Sequence, residues 1–102
     1  MASIIVEANI LPADAVSVAE KALRDSGLNL SELKRQTDRC VAQTRASMAS
    51  WGETIQVWAE PQGGTKVRFH VISDSIAQLF DWGKNQQNVN RIRESLVRLT
   101  AH

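Results

Sequence analysis

His70, Cys40 and three tryptophans are the side chains of this 102-residue sequence whose types could carry chemistry or recognition. His70 lies in a run from Thr65 to Ser73 in which Val67, Phe69 and Val71 alternate with Arg68, His70 and Ile72. That period of two places the imidazole on the outer side of a strand, with Gln56 and Arg68 nearby. A histidine so placed could move protons if a carboxylate oriented it, and Glu53 or Glu60 in the preceding run could serve. The other histidine is His102, so a zinc site would have to be completed by carboxylates from elsewhere, and no metal is expected. Cys40 follows Asp38 and Arg39 but has no histidine close in sequence to act as its base. It alternates with Val41 in a run where Cys40, Ala42, Thr44 and Ala46 share one side and Val41, Gln43, Arg45 and Ser47 the other, so it reads as a small buried apolar residue.

Other catalytic patterns are not met. Ser47, Ser50, Ser73 and Ser75 stand outside any nucleophile elbow, and Gly63-Gly64 lacks the lysine and the strand-to-helix setting of a phosphate loop. No catalytic residues and no cofactor are expected. The tryptophans are more informative. Trp82 and Trp51 have apolar neighbours to pack against. Trp58 does not, because Val57 and Ala59 already claim the inward side. An outward indole opposite Arg68 would form a cation–π pair worth about 0.5–1 kcal/mol, or anchor an interface. Trp58, Arg68, His70, Gln56 and Arg45, with Ile72, are therefore the expected binding surface. Asp81, Lys84, Asn85 and Asn88 surround Trp82-Gly83 and read as the caps of a helix break, with a small polar site as the alternative.

The elements that must hold these residues can be read from periodicity. Residues 3–9 alternate as a short strand. Pro12 suits the first turn of a helix from Ala13 to Ser26, in which Ala15, Val18, Ala19, Ala22 and Leu23 form one stripe and Gly27 ends the element. Residues 28–37 favour an extended segment with an irregularity over a second short helix, since Asn29 and Ser31 suit a helix interior poorly. Residues 39–47 alternate, as do 53–60 and 65–73 across the Pro61-Gln62-Gly63-Gly64 turn, which makes an antiparallel hairpin. Matching apolar faces with a loop of Gln62 to Gly64 sets Ala59 opposite Val67, Trp58 opposite Arg68 and Gln56 opposite His70. Ser75 and Gln78 form a capping-box pattern ahead of Ile76, Leu79 and Phe80, Gly83 predicts a kink or break, and Val89, Ile92, Leu96 and Leu99 repeat as a helical stripe. Glu94 and Arg98 are spaced to pair. The expected fold is a single α+β domain: a two-layer sandwich of order β-α-β-β-β-β-α, with a mainly antiparallel sheet of four to five strands and both helices on one face.

This layout, with Ala19-Glu20-Lys21-Ala22-Leu23 to Gly27 and the Gly63-Gly64-Thr65-Lys66-Val67 turn, resembles the small helix-grip domains, in which a sheet curls around a long C-terminal helix. It is similar to the repeated domains of the lipoprotein subunit of the bacterial outer-membrane assembly machine. The segment Phe80-Asp81-Trp82-Gly83-Lys84-Asn85 also resembles a signature of small uncharacterised bacterial proteins. The resemblance implies a binding or scaffolding module without catalytic residues. A lipid-bearing cysteine near the start and an export signal are not seen, so the outer-membrane role is not carried over and a cytoplasmic bacterial protein is expected. Larger helix-grip proteins hold apolar ligands; at about 100 residues a packed core leaves little volume for one.

Composition narrows the partners. Hydrophobic residues make up 43% and charged residues 23%, as in a folded globular chain, and the net charge of +1 gives phosphates little to bind. The single cysteine excludes an internal disulfide. No apolar run approaches the roughly 20 residues that span a bilayer. The expected function is a non-catalytic interaction module that binds a protein partner, or a second copy, through the sheet face around Trp58. A small enzyme using His70 with a carboxylate is the first alternative. A weak nucleic-acid binder using Arg91, Arg93 and Arg98 with Lys84 is the second, and a small apolar ligand stays open.

Overall fold

Helical and extended segments fall where the period of the apolar residues changes between two and about 3.6. The computed structural model describes residues 1–46, 52–75 and 83–101. In chain order it contains β1 (Ala2–Ala8), a 3-10 turn (Pro12–Asp14), α1 (Ala15–Arg24), β2 (Leu30–Arg35), β3 (Arg39–Thr44), β4 (Glu53–Pro61), β5 (Val67–Ser75) and α2 (Lys84–Thr100). The strands form one sheet of order β1-β5-β4-β3-β2, antiparallel at every pairing. The domain is α+β, in the expected order β-α-β-β-β-β-α.

Both helices pack on the same side of the sheet. The inward residues Ile4, Val6, Cys40, Ala42, Ile55, Val57, Val67, Phe69 and Val71 are buried in one cluster with Ala15, Ala19, Ala22 and Leu23 of α1 and Val89, Ile92 and Leu96 of α2. Fully buried Ala19 and Ala22 carry only methyl groups, so the α1 backbone can come close to the sheet. The helices are fastened to each other where Ser95 Oγ donates to the Ala22 carbonyl at 2.9 Å and Arg98 donates to the Asp25 carbonyl at 3.3 Å. Arg98 thus reaches α1, and the expected ion pair with Glu94 is not among those formed by the described residues. After α1 the chain turns at Gly27 with φ of +79°, where an added Cβ would also meet the Arg91 guanidinium at 3.3 Å.

Residues 28–37 hold a strand, β2 at Leu30–Arg35, and no helix, and the expected irregularity is a register shift between Leu30 and Glu32 against β3. The hairpin register differs from the expected one by two residues. Ala59 faces Phe69, Trp58 faces His70, Glu60 faces Arg68, and Pro61 faces Val67. The loop is longer, with Gln62 N–H donating to the Lys66 carbonyl at 2.9 Å and Lys66 N–H to the Gly63 carbonyl at 3.2 Å. A slip of two leaves every side chain on its own face, so the apolar pattern cannot tell the two registers apart. Placing Phe69 beside Ala59 pairs a large side chain with a small one.

Gly83, with φ of +79°, directly precedes α2, which agrees with a boundary at that glycine. Ser75 is the last residue of β5. Gln78 of the expected capping box, the apolar residues Ile76, Leu79 and Phe80, and Trp51, Asp81 and Trp82 lie outside the described residues. No helix among the described residues is long and apolar enough to cross a membrane.

Cys40 is fully buried beneath α1, its thiol 3.6 Å from the Val16 carbonyl. Burial pushes its pKa up from the ordinary 9.0, and the Glu20 carboxylate adds to this. Native protein should therefore not react with a thiol reagent at neutral pH and should react with one equivalent once unfolded in guanidinium chloride. The folded chain keeps a proton that the unfolded chain releases, so the thiol's contribution to stability is intact below about pH 9 and is lost as pH rises beyond it. Alkaline denaturation of Cys40→Ala should lack that component.

Candidate functional site

The sheet surface opposite the helices is built by the alternate residues of five strands, and its centre is a row of side chains in register. Arg39 of β3 faces Trp58 of β4, Trp58 faces His70 of β5, and His70 faces Ile5 of β1. Directly opposed residues in an antiparallel sheet bring their Cβ atoms to about 4.5–5.5 Å, so the indole is flanked on both sides. The imidazole stacks on it with ring centroids 5.1 Å apart and planes 9° from parallel. From the other side the Arg39 guanidinium carbon lies 5.0 Å from the ring centroid.

Polar contacts hold this row in place. Arg39 Nη1 donates to Gln56 Oε1 at 2.8 Å, and its other guanidinium nitrogens reach the Asp38 carboxylate at 3.3 and 3.4 Å. That guanidinium holds the Asp38 carboxyl below its usual range. His70 Nε2 is 3.2 Å from Glu60 Oε1. Arg68 donates to Glu7 at 3.1 Å and stands 4.0 Å from Glu60, so Glu7, Arg68 and Glu60 form a second row of alternating charge. On the β1 side of Trp58 lies a hollow of about 350 Å³ lined by Ser3, Ile4, Ile5, Trp58, His70 and Ile72.

The five expected binding residues are thus only partly assembled. Trp58 and His70 are in direct contact, and Gln56 lies one pair along the strands, facing Ile72 rather than His70. Arg68 does not cover the indole; the two-residue difference in register carries it to Glu60. Arg45 has the outward phase of Arg39 but lies past the end of β3, its N–H donating to the Asn29 carbonyl at 2.9 Å, away from the cluster. Arg39, the cation on Trp58, was legible only in part: its alternation with Cys40 turns it outward, but the adjacency of β3 to β4 at that register is a property of the assembled sheet.

A second group of polar residues lies on the inner side. Glu53 is only 1% exposed, because it shares the inward phase of Ile55 and Val57. Thr44 Oγ1 donates to Glu53 Oε1 at 3.0 Å and accepts from the Glu53 N–H at 2.7 Å. Asn88 Nδ2 donates to Glu53 Oε1 at 2.8 Å and to Ser73 Oγ at 3.1 Å. Ser73 Oγ donates to Asn85 Oδ1 at 2.8 Å, and Asn85 Nδ2 donates to Ser75 Oγ at 2.9 Å. Asn85 and Asn88 thus use their side chains to bond across to the sheet, where capping was expected of them. They project from the first turns of α2 into the sheet and fix the helix to β4 and β5. Lys84 is exposed and takes no part. Glu53 lies on the opposite face from His70, which leaves Glu60 as the carboxylate beside the imidazole.

Among the described residues, no three His, Cys, Asp or Glu side chains cluster as a metal site would require. The basic residues of α2 point to separate places: Arg91 toward Gly27, Arg98 toward Asp25, and Arg93 to solvent. No protein-family model matches the chain, and no curated protein compared with it does so either.

Proposed function

We propose that this domain is a non-catalytic recognition module that binds a protein partner through the sheet face centred on Trp58. The observation that carries the reading is the flanked indole. Trp58 is clamped between Arg39 and His70, half-buried, on a face that neither helix packs against. Tryptophan and arginine are the residue types that most often dominate binding energy, and a side chain already fixed by its neighbours loses little entropy when a partner covers it. The adjoining hollow beside Ile5 and Ile72 offers an apolar pocket, with the Glu7–Arg68–Glu60 row as a polar rim.

The test is to immobilise the native domain, identify what it retains from cell extract, and repeat this with Trp58→Ala, Arg39→Ala and Thr54→Ala. Loss of the retained partner with the first two and not the third is expected, with an affinity drop for Trp58→Ala on the order of thirtyfold, the size of a 2 kcal/mol anchor. Equal retention by all three would refute the reading.

One observation favours a second reading, an enzyme. A carboxylate within hydrogen-bond reach of an imidazole is the arrangement that orients a general base, and Glu60 and His70 have it at the border of the hollow. That reading requires a turnover that His70→Asn abolishes and Trp58→Ala leaves in place.

A further inference from the structure

The sheet has two edges, and their sequences treat the open backbone groups differently. β2 carries a register irregularity and reads Leu30-Ser31-Glu32-Leu33-Lys34-Arg35, with Glu32, Lys34 and Arg35 exposed. Charges and irregularities of this kind discourage a further strand from adding. β1 has none of these features except one acid. It runs Ala2-Ser3-Ile4-Ile5-Val6-Glu7-Ala8, pairs with β5 in unbroken register over all seven residues, and has no other strand neighbour among the described residues. Its central outward residue, Ile5, is 57% exposed.

Three of the four exposed large apolar residues among those described, Met1, Ile5 and Val97, lie at this same edge or on the helix beside it. Large hydrophobic side chains exposed among the described residues are Met1, Ile5, Leu11 and Val97. Met1 immediately precedes β1, and Ile5 is its midpoint. Val97 lies on α2, which packs on β1 and β5. Ser95 and Arg98 of that helix point to α1, and Val89, Ile92 and Leu96 point to the sheet. At 100° per residue Val97 therefore falls on the flank turned away from α1, toward the β1 edge, with Gln86, Asn90 and Arg93 as its polar surround.

We infer that β1 is a homodimer interface, in which two copies join antiparallel about a two-fold axis at Ile5 to make one ten-stranded sheet. The occupant is a second copy because the strand complements itself. Antiparallel pairing centred on Ile5 is the register that uses all seven residues. It sets Ile5 against Ile5 of the second copy, Ile4 against Val6, and Ala2 against Ala8. It also sets Ser3 against Glu7, a hydroxyl donor opposite a carboxylate, and keeps the two acids apart. A two-fold at Glu7 would oppose them, which is unfavourable in a cross-strand pair. The helices fit the same symmetry. With strands about 4.8 Å apart and α2 seated over β1 and β5, the two α2 axes come to lie roughly two strand spacings apart, within the usual 8–10 Å of packed helices, and Val97 enters that contact. The dimer contact thus includes a helix pair as well as a strand pair. It also extends the central row, which becomes Arg39, Trp58, His70 and Ile5 followed by the same four residues in reverse.

The dimer does not depend on the recognition reading, and sedimentation equilibrium of the full chain tests it separately. The native chain is expected to be dimeric, and Ile5→Lys, which changes an exposed side chain and sets two ammonium groups across the axis, is expected to weaken dimerisation by at least about tenfold while keeping the native circular dichroism spectrum. Ile5→Cys should form an intermolecular disulfide under mild oxidation, whereas Lys34→Cys on the opposite edge should not. A native chain that sediments as a monomer at high concentration, or a dimer that Ile5→Lys leaves intact, would overturn the inference. Loss of partner capture in Trp58→Ala without loss of the dimer would leave it standing.

Discussion

Asn88→Asp should destabilise the domain by about 3–5 kcal/mol at neutral pH, the usual cost of an uncompensated buried charge. The two side chains are nearly the same size, so packing is little changed. The native amide gives one nitrogen to both the Glu53 carboxylate and Ser73 Oγ, and all three residues are inaccessible or nearly so. The substitution removes both donations and sets a second carboxylate against Glu53. Among the described residues the Asn88 oxygen finds no hydrogen-bond partner, and the amide's orientation is held from the nitrogen side; turning it over would point its oxygen at the carboxylate. Two acids so close cannot both stay ionised without cost, and the destabilisation should shrink as pH falls and one of them takes a proton. Urea unfolding at neutral and acidic pH measures both effects. A variant as stable as the native chain would mean that Glu53 does not depend on Asn88.

Phe69→Ala should cost a comparable 3–5 kcal/mol. Phe69 is the largest fully buried side chain in the described core, on the interior strand β5 between Val6 of β1 and Ala59 of β4. Neither neighbour can fill the space, because both are short and pinned in the sheet ladder. A domain of about 100 residues has roughly 5–15 kcal/mol of stability in total, so either substitution removes a large share of it. The urea midpoint should fall while the slope of the transition stays the same, the sign of a changed native state in an otherwise two-state fold.

The order of elements was legible because strand and helix periods differ and Gly27, Gly63-Gly64 and Gly83 mark their ends. Which side each residue faces was legible for the same reason, including Trp58 and His70 outward and Cys40 inward. Pairing between strands was not. A register change of two residues preserves every facing, so the cation on Trp58 turned out to be Arg39 of a strand distant in sequence, and Arg68 went to Glu60 and Glu7. The inner polar group was half legible. The phase of Glu53 with Ile55 and Val57 turns it inward, but an acid at the start of a strand invites an exposed reading. Asn85 and Asn88 follow a glycine, where capping is the ordinary use of asparagine. Only the docking of α2 on the sheet, which carries Asn85 and Asn88 to Ser73 of β5 and Glu53 of β4, brings the three together.

On the proposed reading the two faces divide the work: the inner one holds the fold, and the outer row around Trp58 serves a partner. Urea unfolding of Trp58→Ala beside Phe69→Ala tests that division most directly. Loss of the Arg39 cation–π contact and the His70 stack should cost no more than about 2 kcal/mol, clearly less than the phenylalanine. Equal losses from the two aromatic residues would contradict the account, since Trp58 would then be part of what holds the sheet together.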